Sequence, residues 1–143
     1  MRIVRDIRSV ALRVDKDAIV NYGRPSDTAL ATGDIQIISS FIHIDPVVIN
    51  GIVDGAESAS LTIGFLYQDK PDSSFDSTVN KDVAKSIEEI QEDAYNLALD
   101  FLNEFNESNG YNVTAYTINT VTRVKNVFSG VLLKFNTSYM PSC

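Results

Sequence analysis

KDVAKSIEEIQEDAYNLALDFLNEFNE, residues 81–107, is the stretch whose reading decides the fold. Val83, Ile87, Ile90, Ala94, Leu97, Phe101 and Phe105 step by three or four, and Ala98 and Leu102 widen the stripe. That period is helical, so the spacing predicts one long amphipathic helix from about Lys81 to Glu107. Its other side carries Lys85, Glu88, Glu89, Glu92, Asp93, Asp100 and Glu104, a face for water. Asn80 is placed to accept from the first amides. Asn109-Gly110 supplies the left-handed residue that ends the last turn. A helix of roughly 40 Å, at 1.5 Å per residue, needs a sheet beneath it. The spacing predicts contact through Ile87, Ile90, Leu97 and Phe101.

Strand signals flank the helix on both sides. Upstream lie IQIISSFIHID (Ile35–Asp45), rich in β-branched residues, and SASLTIGFLYQ (Ser58–Gln68), separated by Pro46, Asn50-Gly51 and Asp54-Gly55 turn signals. Downstream lies YNVTAYTINTVT, a strand with mixed faces. The last strand, from about Val127 to Tyr139, puts Val131, Leu133, Phe135 and Tyr139 on one side. Lys134, Asn136 and Ser138 take the other, with Leu132 as the exception. At the N-terminus Ile3, Val4, Ile7, Val10, Ala11 and Val14 recur at helical spacing, predicting an amphipathic helix from about Arg2 to Asp15. A short extended piece, AIVNY, and a loop, GRPSDTALATGD, follow it. The order helix, strands, long helix, strands reads as α+β. We expect a single domain over residues 1–143, with an antiparallel or mixed sheet of about four to five strands and both helices on one face.

Composition narrows the function classes. Hydrophobic residues at 44% and charged residues at 22% are those of an ordinary globular protein. No apolar run nears the roughly 20 residues of a membrane span. Asp6 and the arginines interrupt the apolar pattern of the N-terminus, which therefore does not read as a secretory signal. Asn106, Asn112 and Asn136 head glycosylation triplets that we read as chance in its absence. A single cysteine allows no internal disulfide, and with a single histidine it excludes the usual zinc frameworks. The net charge of −7 argues against attraction to nucleic acid by the molecule as a whole. Arg2, Arg5, Arg8, Arg13 and Lys16 nevertheless crowd the first segment, acids dominate from Asp69 to Glu107, and residues 35–68 hold few charges.

No catalytic, cofactor-binding or metal-binding residue is assigned. His43, in line with Phe41 and Asp45, lacks a nucleophile and orienting group at recognisable spacing, and reads as a strand histidine on a solvated or interface face. Asp69, Asp72 and Asp76 lack the glycine and closing glutamate of a calcium loop. Gly23, Gly33, Gly51, Gly55 and Gly64 form no phosphate cradle. Glu88, Glu89, Glu92 and Asp93 lie on the polar side of the long helix. Cys143 has no basic neighbour to activate its thiol.

Taken in order, IVRDIRSVALRV (3–14), NYGRPSD (21–27), FIHIDP (41–46), TIGFLYQDK (62–70), the helix through residues 81–105 and GVLLKF (130–135) before a terminal cysteine form a series. It resembles the small neck and tail proteins of tailed bacteriophages, of the tail-terminator or head–tail connector type found in crAss-like phages. The resemblance implies a non-enzymatic virion protein, made in the host cytoplasm, that forms a homo-oligomeric ring at the head–tail junction or tail. The portal and other neck or tail rings would be its neighbours, and DNA would pass through the lumen without sequence-specific binding. It also implies a packed final strand, with Cys143 a small buried or interface apolar group. The N-terminal helix and the loops Arg24–Gly33 and Val47–Glu57 are the expected contacts with neighbours. The residues alone leave a second reading open, a ligand-binding or enzymatic α+β domain with a pocket between sheet and long helix, and a third, an adaptor with no virion role.

Overall fold

The computed structural model describes residues 2–23, 40–51, 55–68, 87–108, 110–124 and 128–140. Two helices, α1 (Arg2–Val14) and α2 (Ile87–Glu107), lie with six strands: β1 (Ile19–Tyr22), β2 (Ser40–Ile44), β3 (Val48–Gly51), β4 (Glu57–Gln68), β5 (Asn112–Val124) and β6 (Phe128–Tyr139). The strands form one mixed sheet in the order β1-β2-β4-β6-β5, with β3 beside β4. Among the described strands only β1 and β2 run parallel; the other pairs are antiparallel. The fold is α+β as expected, with six strands where the patterning suggested four or five. The added strand is β3, in a stretch whose composition favours turns; its β-branched Val48 and Ile49 outweigh the turn signal of Asn50-Gly51.

The final strand is central, as its apolar face required. β6 pairs along its full length with β4, from Glu57↔Tyr139 to Gln68↔Phe128. Leu61, Ile63 and Phe65 of β4 and Val131, Leu133 and Phe135 of β6 face the helices and are buried. Leu132 faces away, over the bare backbone of Gly64, its register partner, which explains an apolar residue on the polar side. The mixed faces of β5 come from two register shifts, between Val113 and Ala115 and between Val121 and Val124. Each shift re-aims the side chains beyond it.

α2 buries Ile90, Ala94, Ala98, Phe101, Leu102 and Phe105. Ile90 and Phe101 are in the core as the spacing predicted, whereas Ile87 and Leu97 lie only half-buried at its rim. Gly110, at φ 80°, turns the chain out of the helix end, as Asn109-Gly110 predicted. Asn80, residues 81–86 and residues 35–39 lie outside the described residues.

α1 buries Ile3, Ile7, Val10 and Ala11. Its N-terminal end meets the junction after α2, where the Tyr111 hydroxyl donates to Asp6 Oδ2 at 2.6 Å. Arg2 Nε lies 3.5 Å from the same carboxylate oxygen, and its guanidinium sits 5.8 Å from the centre of the Tyr111 ring. At the other end the Ser40 hydroxyl donates to Asp15 Oδ2 at 2.6 Å. α1 and α2 therefore run antiparallel over one face of the sheet.

Candidate functional site

Those residues singled out for chemistry that lie among the described ones do not converge. His43 is 4% exposed, so of the two placements expected for it, a solvated or an interface face, the solvated one is ruled out. It lies on the side of β2 turned away from the helices, with Phe41 and Leu66, both also buried. Its Nε2 is 3.2 Å from Asp45 Oδ1, but the approach lacks hydrogen-bond geometry, so neither ring nitrogen has a hydrogen-bond partner among the described residues. Its register neighbour Asn21 likewise holds an unpartnered buried amide nitrogen. Glu88, Glu89 and Glu92 are exposed on α2, the placement their period predicted, whereas Asp93 is half-buried. Among the described residues no three His, Cys, Asp or Glu side chains gather closely enough to hold a metal ion. No helix among them is long and apolar enough to cross a membrane. Asp69, Asp72, Asp76, Gly33 and Cys143 lie outside the described residues.

Two concavities stand out. A groove of about 480 Å³ runs between α2 and β5, lined by Leu99, Leu102, Asn103, Asn106, Val113 and Tyr116 among others. It lies between the sheet and the long helix, and its described walls are aliphatic groups, amides and a tyrosine. Asn106 Oδ1 accepts from the Val113 amide at 2.9 Å in the groove wall, and toward the other end of α2 the Gln91 amide donates to the Val121 carbonyl at 3.1 Å, so two α2 side chains pin β5. The second concavity, about 490 Å³, lies on the far face of the sheet among Asp45, Ser60, Thr62, Thr117, Lys134 and Asn136. Ser60 donates there to Asn136 Oδ1 at 3.0 Å.

The surface itself is the more telling feature. All four residues of β3 are exposed, including Val48 at 58% and Ile49 at 37%. Arg5, Arg8, Arg13 and Lys16 are exposed on and just after α1, while Arg2 is engaged with Asp6 and Tyr111. Leu12, Tyr95 and Tyr116 are exposed as well. No family model and no curated protein matches the chain.

A tyrosine network that the strand pattern did not disclose closes the end of the core near Gly110. Phe105 stacks on Tyr111 with centroids 4.5 Å apart, and Tyr111 meets Tyr139 edge-on at 5.1 Å. Tyr139 donates to Glu57 Oε2 at 2.9 Å. Burial, and then the bond to Asp6, drive the Tyr111 phenol well above its ordinary value. Burial and the Glu57 bond push Tyr139 up to about 12, and burial beside Asp15 and Asp93 does the same for Tyr67. The folded chain thus holds these protons more tightly than the unfolded chain, whose phenols titrate near 10. Their stabilising contribution is complete below pH ~10 and is lost as pH climbs through ~12. An alkaline titration following phenolate absorbance and circular dichroism together should show late-titrating tyrosines that ionise as the fold melts. Complete ionisation of all six tyrosines near pH 10 with the fold intact would contradict this.

Proposed function

We propose that this chain is a structural virion protein, a ring subunit at the head–tail junction or tail of a tailed bacteriophage, through which DNA passes. The observation that carries the reading beyond the sequence resemblance is β3. A strand of four residues, exposed throughout, with Val48 and Ile49 bared, offers apolar surface that suits contact with a neighbouring protein. It falls within the Val47–Glu57 stretch expected to touch neighbours. β3 pairs with the first residues of β4, so it is held by a long central strand while still presented to a partner. The outer side of α2, with Glu89 and Asp100, suits a lumen in which DNA must slide without sticking.

The experiment is assembly. In phage carrying Val48→Asp with Ile49→Asp, we expect separated heads and tails by electron microscopy, with the variant protein folded by circular dichroism. Normal particles that have incorporated the variant would remove β3 from the contact. Absence of the wild-type protein from purified virions would overturn the reading itself.

A further inference from the structure

The two flanks of the helical layer differ in charge. On α1 the buried stripe of Ile3, Ile7, Val10 and Ala11 divides the helix surface in two. Asp6 lies on the side that meets Tyr111 and the end of α2. Arg8 and Leu12 lie on the other, turned away from α2, with Arg5 beyond them and Lys16 exposed just past the helix end. On α2 the side toward α1 is likewise distinct from the side over β5, which Gln91 and the groove identify. That second flank carries Glu88, Glu92, Tyr95, Leu99 and Asn103. One flank of the molecule is therefore basic around an exposed leucine, 41% accessible, and the opposite flank carries Glu88 and Glu92 around an exposed tyrosine, 44% accessible, and a groove walled by aliphatic groups and amides.

We infer that the α1 flank of one copy docks on the α2–β5 flank of a second copy, head to tail. The occupant is a second copy because the two surfaces are complementary in charge, and each also carries an exposed apolar residue. The flanks lie at opposite sides of one protomer, so a protomer cannot satisfy both itself, and the contact is heterologous. The geometry also sets its register. Asp6 stands level with Tyr111 and Phe105, at one end of the antiparallel helix pair. Asp15 accepts from Ser40, the register partner of Tyr67, and the charge of Asp93 reaches the same tyrosine, at the other. Copies related by rotation about an axis parallel to the helices keep these heights. Leu12 of one copy then comes level with Tyr95 and Leu99 of the next, Lys16 with Glu92, and Arg8 with Asn103. This contact deepens the ring reading and rests on it for closure into a ring; the docking stands or falls by its own test.

The test is disulfide trapping. With Cys143→Ser to remove the native thiol, the pair Leu12→Cys/Tyr95→Cys should give, under mild oxidation, a ladder of reducible dimers, trimers and larger species. The pair Leu12→Cys/Lys134→Cys, with the second thiol on the far face of the sheet, should not. In solution, Lys16→Glu should weaken wild-type self-association roughly tenfold, and adding Glu92→Lys should restore it. A wild-type protein that stays monomeric to its solubility limit overturns the contact, as does a lone Leu12→Cys that dimerises as efficiently as the pair. A ladder from protein that is absent from virions would uphold the contact and sink the ring reading; monomeric protein found in virion rings would do the reverse.

Discussion

Gly130→Ala should be the most damaging single-atom change in this protein, with an expected loss of about 3 kcal/mol or more. Gly130 lies in β6, opposite Leu66 of β4 on one side and Val121 of β5 on the other. An added Cβ would fall on the Phe65 carbonyl oxygen and come within 3.1 Å of the Leu66 Cα. Both are backbone atoms, so no rotamer change relieves the clash. The two central strands must move apart where Phe65 and Val131 face the helices together. Gly64→Ala makes the contrast. There the new methyl meets the end of the Leu132 side chain at 3.3 Å, which can turn aside. Denaturant unfolding of the two variants should therefore differ by about 2 kcal/mol or more. A Gly130→Ala protein within about 1 kcal/mol of wild type would show that the strands are not held so closely.

Phe105→Ala is the second large effect, expected at about 3–5 kcal/mol. The ring is fully buried and touches three others: Phe101 at 5.7 Å, Phe135 at 5.5 Å and Tyr111 at 4.5 Å between centroids. Truncation leaves a cavity at the end of the helix layer and removes the stacking partner of Tyr111, the residue that ties α1 to the rest through Asp6. The neighbouring rings are themselves locked, so collapse into the void is limited. Leu97→Ala, at the half-buried rim, should cost clearly less. Equal losses from the two, measured by denaturant midpoint at constant slope, would place Leu97 as deep in the core as Phe105.

The elements with a strong period are legible in the sequence alone. α1 runs from Arg2 to Val14 where Asp15 was expected as its end, and β4 and β6 each begin within one residue of the predicted start. Their signals are local: a stripe of aliphatics at three-four spacing, or alternation along a strand. The same local signal correctly brought Leu97 against the core but not its depth, because a stripe wide enough to take in Leu97 and Leu102 does not say which margin is fully covered. His43 shows a second limit. Its alternation with Ile42 and Ile44 correctly puts it on the face opposite the helices, yet burial on that face depends on the rest of the chain. The tyrosine network joins Asp6, Glu57, Tyr111 and Tyr139, residues 105 and 82 positions apart in their bonded pairs, and no short-range pattern encodes such partners. The candidate docking surface is legible in part. The basic first segment and the apolar Val47–Glu57 stretch stand out in the sequence, whereas the opposition of the α1 and α2 flanks emerges only when the helices lie antiparallel on one sheet.

Because β6 occupies the middle of the sheet yet comes last among the described strands, a ribosome must finish it before the core can close. β4 ends at Gln68 and its principal partner ends at Tyr139, so at 5–20 residues per second the wait is roughly 4–14 s. Throughout that interval the nascent chain carries a long strand with one edge bare, and an α2 with no complete sheet to rest on. That is the species a chaperone would have to shelter. Slow codons between residues 68 and 128 would lengthen its exposure, and faster ones would shorten it. Yield of soluble protein should therefore respond to translation speed in that window more than to speed over the first helix.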